Sequence, residues 1–324
     1  MQIAEYTNKV YRRIELLLEG NQPEATTFRC CFRFSANEFS LIYLNKTQDH
    51  LEILLSETQR YESIDDITLL LTSMVNKHNL YYTPTCWLLS PEDYQLFLIE
   101  SLPVKPEEYI DALQWRIRSL INYPAIEAAI DYFKIPIKKD SQETNTMTAA
   151  VVAKKTSLSK TAELLNHTGL LLISIDIPEL AMRNLTALYE NDEKSTALIY
   201  FYPHTAILNI TREKTLYFTR RINLSEHDDQ QRYQQVSLDM LRYFDYYQSQ
   251  WRYPTPNRVF IASESIPAEK IKTLLSEYLS LTVEQYQLPA TIMTNSKLKS
   301  FDQRHLLLIG KALGQTETHA KTRN

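Results

Sequence analysis

The chain of 324 residues is 44% hydrophobic and 23% charged, which supplies a full-sized core and, by length, suggests two domains more readily than one. A net charge of −4 gives no field that favours nucleic acid or an anionic membrane as the main partner. Glycine numbers only 4 (Gly20, Gly169, Gly310 and Gly314), where usage of roughly 7% is ordinary, and Ile309–Gly314 fits neither G-x-x-x-x-G-K-[ST] nor G-x-G-x-x-G, so a P-loop and a Rossmann phosphate turn are excluded.

Ile3, Tyr6, Val10, Ile14, Leu17 and Leu18 recur at helical spacing up to Gly20 and predict an amphipathic helix, whose mixed-charge polar face favours packing on the body over a membrane surface. Strands are predicted at Thr27–Phe34, Glu38–Leu44 and His50–Leu55 as an antiparallel meander. Ser63 and Asp66 form a capping box for a helix striped by Ile67, Leu71, Met74 and Val75 and ending near Asn79. Thr85–Leu89 and Tyr94–Ile99 read as two further strands that complete a mixed first domain. Pro106 opens a helix through Trp115 and Arg116, Tyr123-Pro124 and Ile135-Pro136 break the pattern, and Lys138–Asn145 reads as a polar loop tip or linker. Met147–Ala153 is a predicted strand, Ser157 a cap, Leu158–His167 a helix closed by Gly169, and Leu170–Ile175 a buried strand. Pro178 starts the next helix, through Leu188. Strands at Thr196–Tyr202, Thr205–Thr211 and Thr215–Ile222 precede a second capping box, Ser225 with Asp228, and a long helix carrying Tyr233, Val236, Met240, Phe244, Tyr247 and Trp251. Val259–Ala262 is a strand, Ala268–Leu279 a helix and Leu306–Leu313 a terminal helix. Strand–strand–strand–helix–strand therefore occurs twice, at 27–89 and at 196–262.

Catalytic chemistry finds little footing in this order. The seven histidines share no H-E-x-x-H frame, and His204 beside Pro203 reads as a turn residue rather than an acid or base. Asp65-Asp66, Glu107-Glu108 and Asp228-Asp229 fall in first helical turns, where they complement the helix dipole. Cys30, Cys31 and Cys86 form neither a disulfide framework nor a C-x-x-C motif, and with no signal peptide or membrane-length apolar run the reading is a cytosolic chain. Basic pairs such as Arg220-Arg221 and Lys154-Lys155 read as solvated faces, and the 21 tyrosines as half-buried strand and helix faces. Trp115 and Arg118 share a helical face: Trp115 anchors core packing while Arg118 pairs with an acid, or the two with Arg116 help to hold an extended peptide.

Several segments in order, Leu113-Gln114-Trp115-Arg116, Ala129-Ile130-Asp131-Tyr132-Phe133, Ala150–Lys155, Ser174–Leu185 and Ser237–Gln250, together with the duplicated element order, resemble the pilus branch of the actin-like ATPase superfamily. That branch comprises the PilM and MshI assembly proteins and, more distantly, FtsA. The resemblance spans about 27–314. It implies an α/β, actin-like (ribonuclease H-like) two-domain fold with an inserted subdomain. The division expected is an N-terminal helix over 1–24, a first domain over 25–100 completed by 170–192 and 303–316, an inserted subdomain over 101–169, a second domain over 193–302 and a tail over 317–324.

In that superfamily two Asp- and Gly-bearing hairpins hold phosphates and metal, and a Gly-Gly turn approaches adenosine. The matching positions here carry Phe34 and Ser35, Tyr200 and Tyr202, and Ser263 and Ser265, with neither Asp nor Gly. Tyr or Phe cannot replace a magnesium-ligating carboxylate, and a Cβ crowds the phosphates. The resemblance thus implies no cofactor, no metal and no enzymatic activity. It points to a cytoplasmic scaffold, recruited to the inner membrane face, that docks the cytosolic tail of a bitopic PilN/MshJ-like protein, and the assembly ATPase as a further partner. The inserted subdomain, set against the first domain, is the expected tail site. An ATPase with an unorthodox site and a GspL-like type II secretion scaffold are the alternatives.

Overall fold

The adjacent Cys30 and Cys31 send their side chains to opposite faces of one strand, and both faces are buried. A sheet covered on both sides is the unit of this architecture. The computed structural model describes residues 27–35, 37–46, 51–136, 147–190, 194–224, 228–289, 292–294 and 302–314; the predicted helix over 3–19, Ser225 and the segment Lys138–Asn145 lie outside these.

The first half runs β1 (Thr27–Phe34), β2 (Glu38–Lys46), β3 (Leu51–Arg60), α1 (Ile64–His78) and β4 (Pro84–Leu88). The Ser63 capping box is formed: Asp66 N donates to Ser63 Oγ at 3.2 Å, and the Asp66 carboxylate accepts from Ser63 N at 2.9 Å. Then come β5 (Tyr94–Glu100), α2 (Tyr109–Ile117), β6 (Ala128–Ile135), β7 (Met147–Lys154), α3 (Lys155–His167) and β8 (Leu171–Asp176). After α4 (Pro178–Thr186) the second half repeats the opening: β9 (Thr196–Phe201), β10 (Thr205–Arg212), β11 (Thr215–Asn223), α5 (Asp229–Trp251) and β12 (Arg258–Ser263). The chain ends its described course with α6 (Ala268–Ser276), β13 (Thr282–Gln285), β14 (Ile292–Thr294) and α7 (Leu306–Leu313).

Apart from β14 at the edge of the first, the two large sheets have the same order. The first is β14-β3-β2-β1-β4-β8, the second β11-β10-β9-β12-β13, and in each the meander is antiparallel while the strands beyond it are parallel. The layers alternate: α1 and α3 cover the outer face of the first sheet, α4 and α7 lie between the sheets, and α5 and α6 cover the outer face of the second. The middle layer is tight. A Cβ on Gly310 of α7 would stand 2.4 Å from the Ala181 carbonyl oxygen of α4, and Asn184 Nδ2 donates to the Gly310 carbonyl at 2.9 Å. Within this apolar layer Lys311 is neutralised by Asp176 at 2.7 Å.

Several boundaries differ from the sequence reading. β5 does not complete the first domain: Ser90-Pro91-Glu92-Asp93 makes a short helical turn that carries the chain off the sheet, and β5 pairs with β7 in a separate sheet ordered β5-β7-β6. The inserted unit thus begins near Tyr94 rather than at residue 101. β14, in the stretch assigned to the second domain, joins the edge of the first sheet beside β3. β6 lacks a clear apolar alternation because it is a half-buried edge strand. Ser157 is no cap, since β7 runs straight into α3 at Lys155, and β8 is a half-buried edge rather than a buried strand. At α5 the N-cap is Asp228 itself, accepting from Gln231 N at 3.0 Å.

Alanine in place of glycine inside an exposed helix stabilises by about 1 kcal/mol. At Gly310 the Ala181 carbonyl reverses the sign, and Gly310→Ala is expected to lose about 1–3 kcal/mol, read as a lower urea midpoint with an unchanged slope. A raised midpoint would show that α4 and α7 are free to separate.

Candidate functional site

The duplicated sheets face each other across α4 and α7, and the ends of β1, β9 and β12 meet in buried contact. Alternation decides which side chains enter this contact. On β1, Phe32 and Phe34 turn to the outer face, where Phe34 packs with Phe32 at 5.0 Å and Tyr61 at 6.3 Å between ring centroids. Cys31 and Arg33 share the opposite face, toward the second sheet. On β9 and its end, Tyr200 and Tyr202 point inward, their rings 5.0 Å apart, while Phe201 joins the outer core.

Arg33 therefore meets the second sheet. Its guanidinium makes an ion pair with Glu264, the residue just past β12, and lies 5.8 Å from the centroid of the Tyr202 ring. The two charged side chains are only 4% and 9% exposed. Glu264 N donates to the Phe201 carbonyl at 3.2 Å, which fixes the carboxylate-bearing turn on β9. Burial pulls the Arg33 pKa down, but Glu264 and the two tyrosines more than offset it and hold the guanidinium charged. Burial raises the Glu264 carboxyl pKa, with Arg33 opposing. Burial also pushes the Tyr200 and Tyr202 hydroxyls upward, so both stay neutral.

A second buried cluster lies alongside. Glu179 of α4, fully buried, accepts from the Tyr94 hydroxyl and faces Arg221 of β11 at 3.6 Å. Arg221 also donates to the carbonyls of Pro91 and Tyr94, at 2.5 and 3.2 Å, with its guanidinium 4.3 Å from the centroid of the Tyr94 ring. Arg221, predicted on a solvated face, instead ties the second sheet to the start of the inserted unit. Arg304, ahead of α7, braces the first hairpin by donating to both oxygens of Glu38 at 3.1 Å.

The turn residues singled out from the sequence divide by position. Tyr200, Tyr202 and Ser263 are buried, Phe34 and Ser35 half-buried, and Ser265 exposed. Ser35 N closes the β1–β2 turn on the Glu38 carbonyl at 2.8 Å, and Ser263 Oγ accepts from Ile266 N at 3.2 Å. His204 is an exposed turn residue whose carbonyl accepts from Leu224 N. Among the described residues no three His, Cys, Asp or Glu side chains gather as a metal site, and no helix is long and apolar enough to cross a membrane. Trp115 does not anchor the core. It is 65% exposed, because Tyr109, Leu113 and Ile117 are the α2 residues that face the small sheet. Arg118 stacks over the Trp115 ring at 4.5 Å, and Arg116 is exposed beside it.

A groove of about 550 Å³ opens between the inserted unit and the second sheet, lined by Ile110 of α2, Tyr132, Phe133 and Lys134 of β6, Arg183 of α4 and Leu216 of β11, among others. Among the described residues β6 and β11 are both sheet edges. The side of the inserted sheet toward the first domain is filled instead: Tyr94, Leu96, Phe133, Val151 and Ala153 pack there with Leu165 and Ile177.

No family model and no curated protein sequence matches the chain. Solved structures do. A PilM–PilN type IV pilus biogenesis complex matches with a TM-score of 0.69 at 14% identity, covering 90% of this chain and 98% of that one. A Bacteroides thetaiotaomicron protein of actin-like ATPase fold and unknown function gives 0.50 at 9% identity, over 89% and 99%. The cytoplasmic domain of EpsL, an inner membrane component of the type II secretion system of Vibrio cholerae, gives 0.50 at 12%, over 89% and 96%. The chain has the actin-like fold. Arg33 and Glu264 are the residues between the sheets that the sequence reading missed. The available signal was parity, since a charge two residues from Cys31 on a sheet buried on both faces has to find a partner.

Burial raises the Glu179 carboxyl pKa above 4.5, with Arg221 and the Tyr94 hydroxyl opposing. The native chain then holds this proton more tightly than the unfolded chain, so the group's stabilisation is full below about 4.5 and is lost as pH rises through the folded value. Glu179→Gln keeps an acceptor for Tyr94 and removes the titration. The stability of the native protein minus that of the variant should fall as pH rises above 4.5, followed by urea unfolding across pH. A difference that grows with pH would contradict this assignment.

Proposed function

We propose that the chain is a non-catalytic scaffold of a type IV pilus assembly platform, cytoplasmic and recruited to the inner membrane face by the cytosolic tail of a bitopic PilN/MshJ-like partner. The observation that carries this reading is the buried contact between the sheets: an ion pair and two tyrosines of the chain itself stand among the turns that the resemblance assigns to nucleotide. Phosphates and magnesium have no Asp or Gly to meet in those turns. Likeness of fold to the PilM–PilN complex supports the choice of system and the class of partner. The fold likeness to the EpsL cytoplasmic domain favours a second reading, a scaffold of a type II secretion system, which shares the same mode of action.

The tail site is the groove between α2, β6 and β11. Among the described residues β6 and β11 are sheet edges, to which an extended segment can add by backbone pairing, and Ile110, Tyr132 and Phe133 line the groove with apolar surface. Trp115, Arg116 and Arg118 continue the exposed surface of α2 beyond Ile110 and extend the contact. MSHA specificity and docking of the assembly ATPase belong to this proposal.

A peptide of the partner's cytosolic tail, followed by fluorescence anisotropy, should bind the intact protein. Ile110→Arg, placed on an exposed helix face that lines the groove, should weaken it about 30-fold, as loss of a central anchor does. Equal binding by the variant would remove the groove from the proposal, and no binding of a pilus-type tail alongside tight binding of a secretion-type tail would favour the second reading.

A further inference from the structure

We propose that the Arg33–Glu264 pair is an interdomain latch that holds the two large sheets in one closed arrangement with no ligand between them. Arg33 belongs to β1 of the first sheet and Glu264 follows β12 of the second, 231 residues away in the chain. A molecule bound between two sheets bridges them and so selects the closed state. Here the bridge is covalently part of both halves and is always present.

Its chemistry suits a latch. The carboxylates of Glu38 and Glu92 repel Glu264, so Arg33 is the charge that holds it in a nearly dry site. Separating the sheets would strip a buried carboxylate of its counter-ion and a guanidinium of the Tyr202 face. A pair of this kind adds little net stability over an apolar replacement, yet it is satisfied in one geometry alone. Position matters as much. Arg33 reaches the β9 and β12 ends of the second sheet, whereas Arg221 ties its β11 edge to the carbonyls of Pro91 and Tyr94.

The consequence is a fixed scaffold. One wall of the groove beside the inserted unit is β11, part of the sheet that the latch holds. Its width is set by the fold and not by the state of a nucleotide. The latch does not depend on what the groove binds.

The test places spin labels at Ser73→Cys on α1 and Ser276→Cys on α6, both exposed, in the full chain, and reads their distance distribution by pulsed electron paramagnetic resonance. The three native thiols are buried. With the latch intact the distribution should be narrow and unchanged by magnesium ATP. In the Arg33→Met/Glu264→Met variant it should broaden or shift, and exchange of the Glu264 and Tyr202 amides should quicken about ten-fold or more. The charge-swapped Arg33→Glu/Glu264→Arg protein should move back toward the native distribution. If the double methionine variant does not fold, Glu264→Gln, which keeps an acceptor and loses the charge, is read in the same way. Native-like width and protection without the charges would overturn the latch, as would a native distribution that narrows only with magnesium ATP. Neither result involves a partner, so each leaves the scaffold reading standing or falling on the tail-binding experiment alone.

Discussion

The buried pairing of Arg33 with Glu264 constrains everything around it. Two charged groups that are 4% and 9% exposed cannot be left apart in the interior, so the ends of β1 and β12 have to meet. Once they meet, Tyr202 is held under the guanidinium, Tyr200 is sealed beneath it and the turn after β12 is drawn onto β9. Beside this contact the middle layer is filled by α4 and α7, which approach closely at Gly310. The same logic recurs at Glu179 and Arg221, where a second buried carboxylate binds the inserted unit to the second sheet.

Scarcity of glycine is the sequence-level counterpart of this filled interior. Gly310 is retained where two helix backbones touch, and Gly169 where the chain leaves α3 with φ of +91°. Elsewhere left-handed positions are taken by residues with side chains: Asn79, Tyr82, Glu213, Lys214 and Arg252 all have positive φ. The two-residue connection at Glu213 and Lys214 is a hairpin turn that commonly uses glycine. Such substitutions cost roughly 1–2 kcal/mol per residue and are tolerable at surface turns, but a phosphate cradle built from them would be closed by its own Cβ atoms.

Local signals in the sequence were enough for most of the frame. The Ser63–Asp66 box, Pro178 at the start of α4 and the doubled strand–strand–strand–helix–strand order all depend on neighbours a few residues away, and each appears where it was read. Features decided at long range were not legible. β13 and β14 have four and three residues, and their pairing is set by β12 and β3 rather than by their own composition. β5 looked like a return strand because Ser90–Asp93 has turn chemistry, which does not say in which sheet the chain will land. On β1 the resemblance singled out Phe34, which packs outward; Arg33, one residue earlier, faces the second sheet and pairs with Glu264. Of the two alternatives for Trp115, the core anchor fails because Tyr109, Leu113 and Ile117 already fill the buried face of α2.

On the proposed scaffold reading the surfaces of this actin-like fold are the working parts, and the groove lined by α2, β6 and β11 is the surface assigned to the partner's tail. Isothermal titration of the intact protein with ATP and magnesium tests this account most directly. The predicted result is no saturable heat, since on the proposed reading the buried Arg33–Glu264 pair, Tyr200 and Tyr202 stand where a nucleotide would bind. Stoichiometric binding at micromolar affinity would contradict it.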